Sequence, residues 1–82
     1  MNRKMLNIFM AIIIETLDEV QGDCAESTIY LALGSDIHAY HDVKAILVGA
    51  GIVNVTQSNR VSLTAKGKAL AGKIREAKAA TA

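Results

Sequence analysis

The hydrophobic period changes at Gly51, and that change limits the fold more than any other feature. Upstream, apolar residues recur at helical spacing. Downstream, Ile52-Val53-Asn54-Val55-Thr56 is rich in β-branched residues and reads as a strand. Gln57-Ser58-Asn59 has the chemistry of a turn. Arg60-Val61-Ser62-Leu63 then alternates, with Val61 and Leu63 on one side. Two such runs around a short break predict a hairpin over residues 52–63. Thr64 caps a final helix from Ala65 to about Ala79, with Leu70, Ile74 and Ala77 apolar and the residues beyond frayed.

Upstream of the hairpin, residues 3–20 predict a first helix. Met5, Phe9, Ile12, Ile13, Leu17 and Val20 share one face, and Leu6, Met10 and Ile14 form a second apolar stripe beside it. A helix apolar over so wide an arc is buried on two sides. One side would meet its own domain. The other, through Leu6, Met10 and Ile14, would meet a second copy. Gly22 is expected to end this helix, and Asp23 with Glu26 to form a capping box for the next. Ile29, Tyr30 and Leu33 give that helix a short apolar face, and Gly34 suits the left-handed position past its end. Ser35 or Asp36 would cap a third helix running to about Ala50. Its inward stripe is expected to be Ile37, Tyr40, Val43, Ile46, Leu47 and Ala50, with His38, His41, Asp42 and Ala45 outward.

Composition fits one small, helix-rich domain spanning residues 1–82. The 82-residue chain is 51% hydrophobic, but Ala is common and only Phe9, Tyr30 and Tyr40 are aromatic. Pro is absent, and a lone Cys24 excludes an intrachain disulfide. Net charge is only +1, yet it is unevenly spread. Residues 1–53 hold three cations against seven acids, net −4; residues 54–82 hold six cations against one acid, net +5. Such asymmetry points either to nucleic-acid contact through the basic half or to attraction between halves or subunits. The start of the chain has the outline of a signal peptide, but acids follow the apolar stretch at once and no small-residue cleavage site appears. The longest apolar run, Ile8 to Ile14, is far below the ~20 residues of a membrane span. A cytoplasmic protein without membrane partners is expected.

The order helix, short helix, tight turn, helix, hairpin, helix resembles a winged helix-turn-helix. Val43-x-x-x-Leu47-x-x-x-Gly51-Ile52-Val53 looks like a recognition helix entering its first wing strand. Val61-Ser62-Leu63-Thr64-Ala65-Lys66-Gly67-Lys68-Ala69-Leu70 is similar to the "LTxxGxxL" wing-to-helix segment of MarR-like and PadR-like regulators. The resemblance covers about residues 24–75. It implies a mainly α fold with a small β-hairpin: residues 1–21 as first helix and possible dimer element, 23–50 as helix-turn-helix, 52–63 as wing and 64–79 as C-terminal helix. It also implies duties. The third helix would enter a major groove by its N-terminal half, with His38, His41 and Lys44 as reading residues. Arg60 would reach DNA from the wing, Ser35 would help hold a phosphate, and Lys66 and Lys68 would contact flanking phosphates. The third helix departs from this pattern, because it begins with Asp36, contains Asp42 and has Lys44 as its one Lys or Arg.

Other constellations are weaker. His38 and His41 lie at i, i+3, but three or four convergent ligands are needed for a metal. Ile46-Leu47-Val48-Gly49-Ala50-Gly51 lacks the third Gly and following helix of a dinucleotide fingerprint. Cys24 near a helix start could be reactive, though a buried structural thiol is the commoner case. No catalytic arrangement stands out, so neither enzyme activity nor a cofactor is expected. The leading expectation is a dimeric winged-helix transcriptional regulator that binds double-stranded DNA. Its rival is a winged-helix protein-interaction module, of the kind small phage-type inhibitors and adaptors use, docking on a protein partner through its acidic N-terminal half. A purely structural homodimerisation module is a third.

Overall fold

The structure, a computed structural model, describes residues 2–34 and 36–81. Its elements run α1 (Arg3–Val20), β1 (Asp23–Ala25), α2 (Glu26–Ala32), α3 (Ile37–Gly49), β2 (Val53–Val55), β3 (Arg60–Leu63) and α4 (Ala65–Thr81). The strands form one antiparallel sheet in the order β1-β3-β2. Four helices with this small sheet are consistent with a small winged helix.

The hairpin forms where the period changes. Val53 pairs with Leu63, and Val55 with Val61. The turn closes through Thr56 N–H to Arg60 C=O (2.9 Å) and Asn59 N–H to Thr56 C=O (3.1 Å). Asn59 takes the left-handed conformation, φ 58°, which Asn tolerates better than most residues.

Residues 23–25 differ from expectation. No capping box forms: Asp23-Cys24-Ala25 is a strand, with Cys24 opposite Val61 and Ala25 opposite Arg60. The unpaired edge of β3 recruits it, a long-range effect that local capping chemistry cannot express. Helix α2 therefore starts later, at Glu26, after Ala25 and without a side-chain cap. Helix α1 ends at Gln21 rather than Gly22. Gln21 adopts φ 55°, and its N–H returns to Leu17 C=O.

The core joins α1, α2, α3, α4 and one sheet face: Ile13, Ile14, Leu17, Cys24, Ile29, Leu33, Tyr40, Val43, Leu47, Val53, Val61 and Ala71. The expected inward stripe of α3 is corrected at three positions. Ile37, Ile46 and Ala50 face out, while Ala39 packs inward beside Tyr40, Val43 and Leu47. The expected dimer stripe is corrected as well. Ile14 is 2% exposed within this chain and cannot meet a second copy in this fold. Leu6 and Met10 pack partly buried against the same core. The open apolar residues of α1 are instead Met5, Ile8 and Val20. Helix α4 continues to Thr81, beyond the expected end near Ala79, and its deepest side chain is Ala71 rather than Leu70 or Ile74.

The hairpin base is fixed sterically. A Cβ on Gly67 would stand 2.2 Å from the Ile52 carbonyl oxygen, so only glycine lets α4 come this close to the chain entering β2. Thr64 caps α4 as expected, its Oγ1 accepting from Gly67 N–H at 3.1 Å. The same hydroxyl donates toward the Gly51 and Ile52 carbonyls (2.5 and 3.1 Å).

Much of the charge asymmetry closes within the molecule. Glu15 pairs with Lys78 (2.7 Å) and Asp18 with Arg75 (2.9 Å), tying α1 to α4. Asp23 pairs with Arg60 (2.9 Å) and Glu26 with Lys44 (3.0 Å). No helix among the described residues is long and apolar enough to cross a membrane.

Candidate functional site

Helix α2, the first turns of α3 and the hairpin turn meet around one open groove of about 440 Å³. Its walls include Glu26, Tyr30, Ile37, His41, Ser58 and Asn59. Local chemistry explains the arrangement. Gly34, at φ 75°, turns the chain after α2. Asp36 caps α3 by accepting from Ala39 N–H at 3.0 Å. The hairpin turn is pinned to the start of α2 by Glu26 N–H donating to Asn59 C=O (2.9 Å).

A polar cluster joins the two helices at the edge of this groove. The Tyr40 hydroxyl donates to Glu26 Oε2, and Lys44 Nζ donates to the same oxygen. Lys44 also lies 5.4 Å from the centroid of the Tyr40 ring, within cation–π range. Tyr30 packs edge-on against Tyr40, with centroids 6.4 Å apart. The Tyr40 hydrogen bond, helped by Lys44, holds the Glu26 carboxyl below its ordinary value, although burial works the other way. Burial, and then the Glu26 carboxylate, push the Tyr40 phenol well above its ordinary value.

Arg60 forms the second polar link. Its Nε donates to Asp23 Oδ2 (2.9 Å), and a terminal nitrogen donates to the Asp23 carbonyl (3.3 Å). The guanidinium holds the Asp23 carboxyl below its usual value. Cys24, next in β1, is buried, and burial pushes its thiol up, so it is poorly suited to thiolate chemistry.

The expected site residues are spread over the surface. His41 lines the groove, where it lies obliquely on Tyr40 (5.7 Å); Lys44 reaches its edge through Glu26, and Arg60 is held by Asp23 on the strand pair beside Ala25. His38 is exposed but lines a different groove, with Asn2, Met5, Phe9, Asp36 and Asp42 between α1 and α3. Lys66 and Lys68 are elsewhere. Lys66 Nζ donates to Ala50 C=O at 2.9 Å, at the opposite end of α3, about 20 Å from its start. Lys68 lines a cleft with Leu17, Asp18, Gln21 and Arg75. Ser35 lies outside the described residues. Among the described residues, no three His, Cys, Asp or Glu side chains converge as metal ligands would.

Sequence reasoning missed Asp23 and Glu26 as partners of the surface cations. It also missed the Tyr40 hydroxyl and the open apolar side chains Leu31 (65% exposed) and Ile37 (49%). The i, i+4 spacing of Tyr40 and Lys44 was the available signal, since it puts both on one side of α3. Nothing local marks Glu26 as their common acceptor.

The fold defines a class only coarsely: a small, mainly helical domain with a three-stranded antiparallel sheet, consistent with a winged helix, in which a helix pair and a hairpin turn surround one groove. Comparison takes it no further, because no known family, curated protein or solved structure matches the chain.

Proposed function

We propose that this chain is a small winged-helix DNA-binding protein, acting as a dimeric regulator with modest affinity per protomer. One observation carries the reading: the exposed N-terminal half of α3 and the hairpin turn border the same open groove, the arrangement needed to meet a duplex. His41 and Ala45 would face base edges or thymine methyl groups. Lys44 and Arg60 would reach phosphates.

Charge sets the expected strength. With two cations per protomer on this surface, log K against log salt should have a slope of about −1.8 for one protomer and about −3.6 for a dimer. That is shallow for a regulator, so pairing of two copies on a two-fold site would supply much of the affinity. The N-terminal part of α1, with Met5 and Ile8 open, offers an apolar surface for such pairing.

A second reading has its own observation. Lys44 and Arg60 are held in ion pairs, Asp36 and Asp42 are exposed in the neighbouring groove at the start of α3, and Leu31 and Ile37 are open. A basic protein partner with apolar anchors suits that surface, in the manner of a phage-type inhibitor or adaptor.

Fluorescence anisotropy with labelled mixed-sequence duplexes at low salt tests the first reading. Binding that weakens as salt rises, with a slope no steeper than the stated one, supports it. No binding at the lowest salt discards it and leaves the protein-interaction module.

A further inference from the structure

Two acids three residues apart hold Lys44 and Arg60, the two cations assigned above to phosphate contact. Asp23 opens β1 and grips Arg60 of β3; Glu26 opens α2 and grips Lys44 of α3. Their positions are set by the fold. Asp23 is fixed by the pairing of β1 with β3, and Glu26 by its N–H bond to Asn59. The other two ion pairs, Glu15–Lys78 and Asp18–Arg75, join α1 to α4 and leave this surface alone.

On the DNA reading above, on which this inference rests, we propose that Asp23 and Glu26 are selectivity-determining residues that keep Arg60 and Lys44 from engaging ill-fitting DNA. Each cation must leave a carboxylate before it can neutralise a phosphate. The exchange is nearly balanced, because partly exposed pairs contribute little. It goes forward where phosphates sit at the right height for both cations, and stalls where only one fits. Non-specific affinity is therefore suppressed more than specific affinity.

Tyr40 completes the device. Its ring is buried, and its hydroxyl keeps a bond to Glu26 Oε2 after Lys44 departs. The carboxylate stays satisfied and does not follow the cation toward the duplex. Arg60 has no such assistant: Asp23 is half exposed and returns to water when the guanidinium swings away.

The test is anisotropy of the full chain with a labelled mixed-sequence duplex, between about 50 and 200 mM salt. Asp23→Ala and Glu26→Gln should each tighten non-specific binding about threefold. Each should also steepen the log–log salt slope, by up to about 0.9 per protomer, from a wild-type value shallower than about −1.8 toward that of both cations engaged. The gain from Asp23→Ala should vanish when Arg60→Gln is added, and that from Glu26→Gln when Lys44→Met is added. Gains that persist in those backgrounds overturn the proposal, because the acids then act only through net charge. Wild type and variants binding alike also overturn it, while the DNA reading survives. No binding by any of them removes both. Circular dichroism melts check folding, and Asp23→Asn, which keeps a hydrogen-bond acceptor, replaces Asp23→Ala if the latter is unfolded at assay temperature.

Discussion

The base of the hairpin is held by buried contact and backbone hydrogen bonds, whereas toward its tip the side-chain links are exposed and the turn itself meets α2 through one backbone bond. At the base, Leu47 is fully buried, Ile52 N–H reaches Leu47 C=O (2.9 Å), and Gly67 leaves no room for a methyl group. Thr64 N–H donates to Ile52 C=O at 3.0 Å. At the tip, Asp23–Arg60 is roughly half exposed, and the turn hangs from Glu26 by a single backbone bond. The difference teaches where each job resides. The base sets the angle between hairpin and α3, so changes there cost stability. The tip can exchange partners cheaply, so changes there should leave the fold largely intact.

Substitutions can break this contrast. Leu47→Ala should cost about 2–5 kcal/mol, read by urea unfolding, since it opens a cavity at the base. A cost near that of a surface change would mean the base is not rigid. Gly67→Ala should cost about 1–3 kcal/mol, because its Cβ must displace the Ile52 carbonyl. A stabilising Gly67→Ala, as helix propensity alone predicts, would contradict the steric account. Thr64→Ala should lose about 1 kcal/mol with its cap.

Smaller effects sharpen the picture at the tip. Glu26 has a depressed carboxyl, so its contribution is present above the ordinary carboxyl value of 4.5 and is lost as pH falls through the lower folded value. Melting temperature should therefore drop below about pH 4.5, and the drop should be shallower in Glu26→Gln. An unchanged acid limb in that variant would show the cluster to be energetically idle. Arg60→Gln should leave the melting temperature unchanged within error, since both partners are solvated. A large loss would mean that the tip, too, is structural.

How much was legible in the sequence follows the same division. Thr64, Gly34 and the Gly51 boundary were readable because each is marked locally: a cap, a left-handed residue, a change of hydrophobic period. The hairpin was readable because period-two alternation is local as well. Strand β1 was not. Three residues carry no period, and Asp23 has equally good capping chemistry; only the waiting edge of β3 decides. The rotation of α3, which buries Ala39 and exposes Ile37 and Ile46, depended on packing against α1 and β2. On α3, the exposure of His38, His41 and Asp42 was foreseen, although His41 lines the candidate groove and the other two line the neighbouring one. The charge imbalance was visible too, but which acid meets which cation required the fold, since Asp23 and Arg60 lie 37 residues apart.

The closure of α1 onto α4 has a consequence during biosynthesis. Ile13, Ile14 and Leu17 emerge early, yet the residues that cover them include Val61 and Ala71, made much later. At about 5–20 residues per second, the first helix leaves the ribosome several seconds before its lid exists. In that interval it is an oily, partly formed rod, and a nascent-chain chaperone would find it an obvious client.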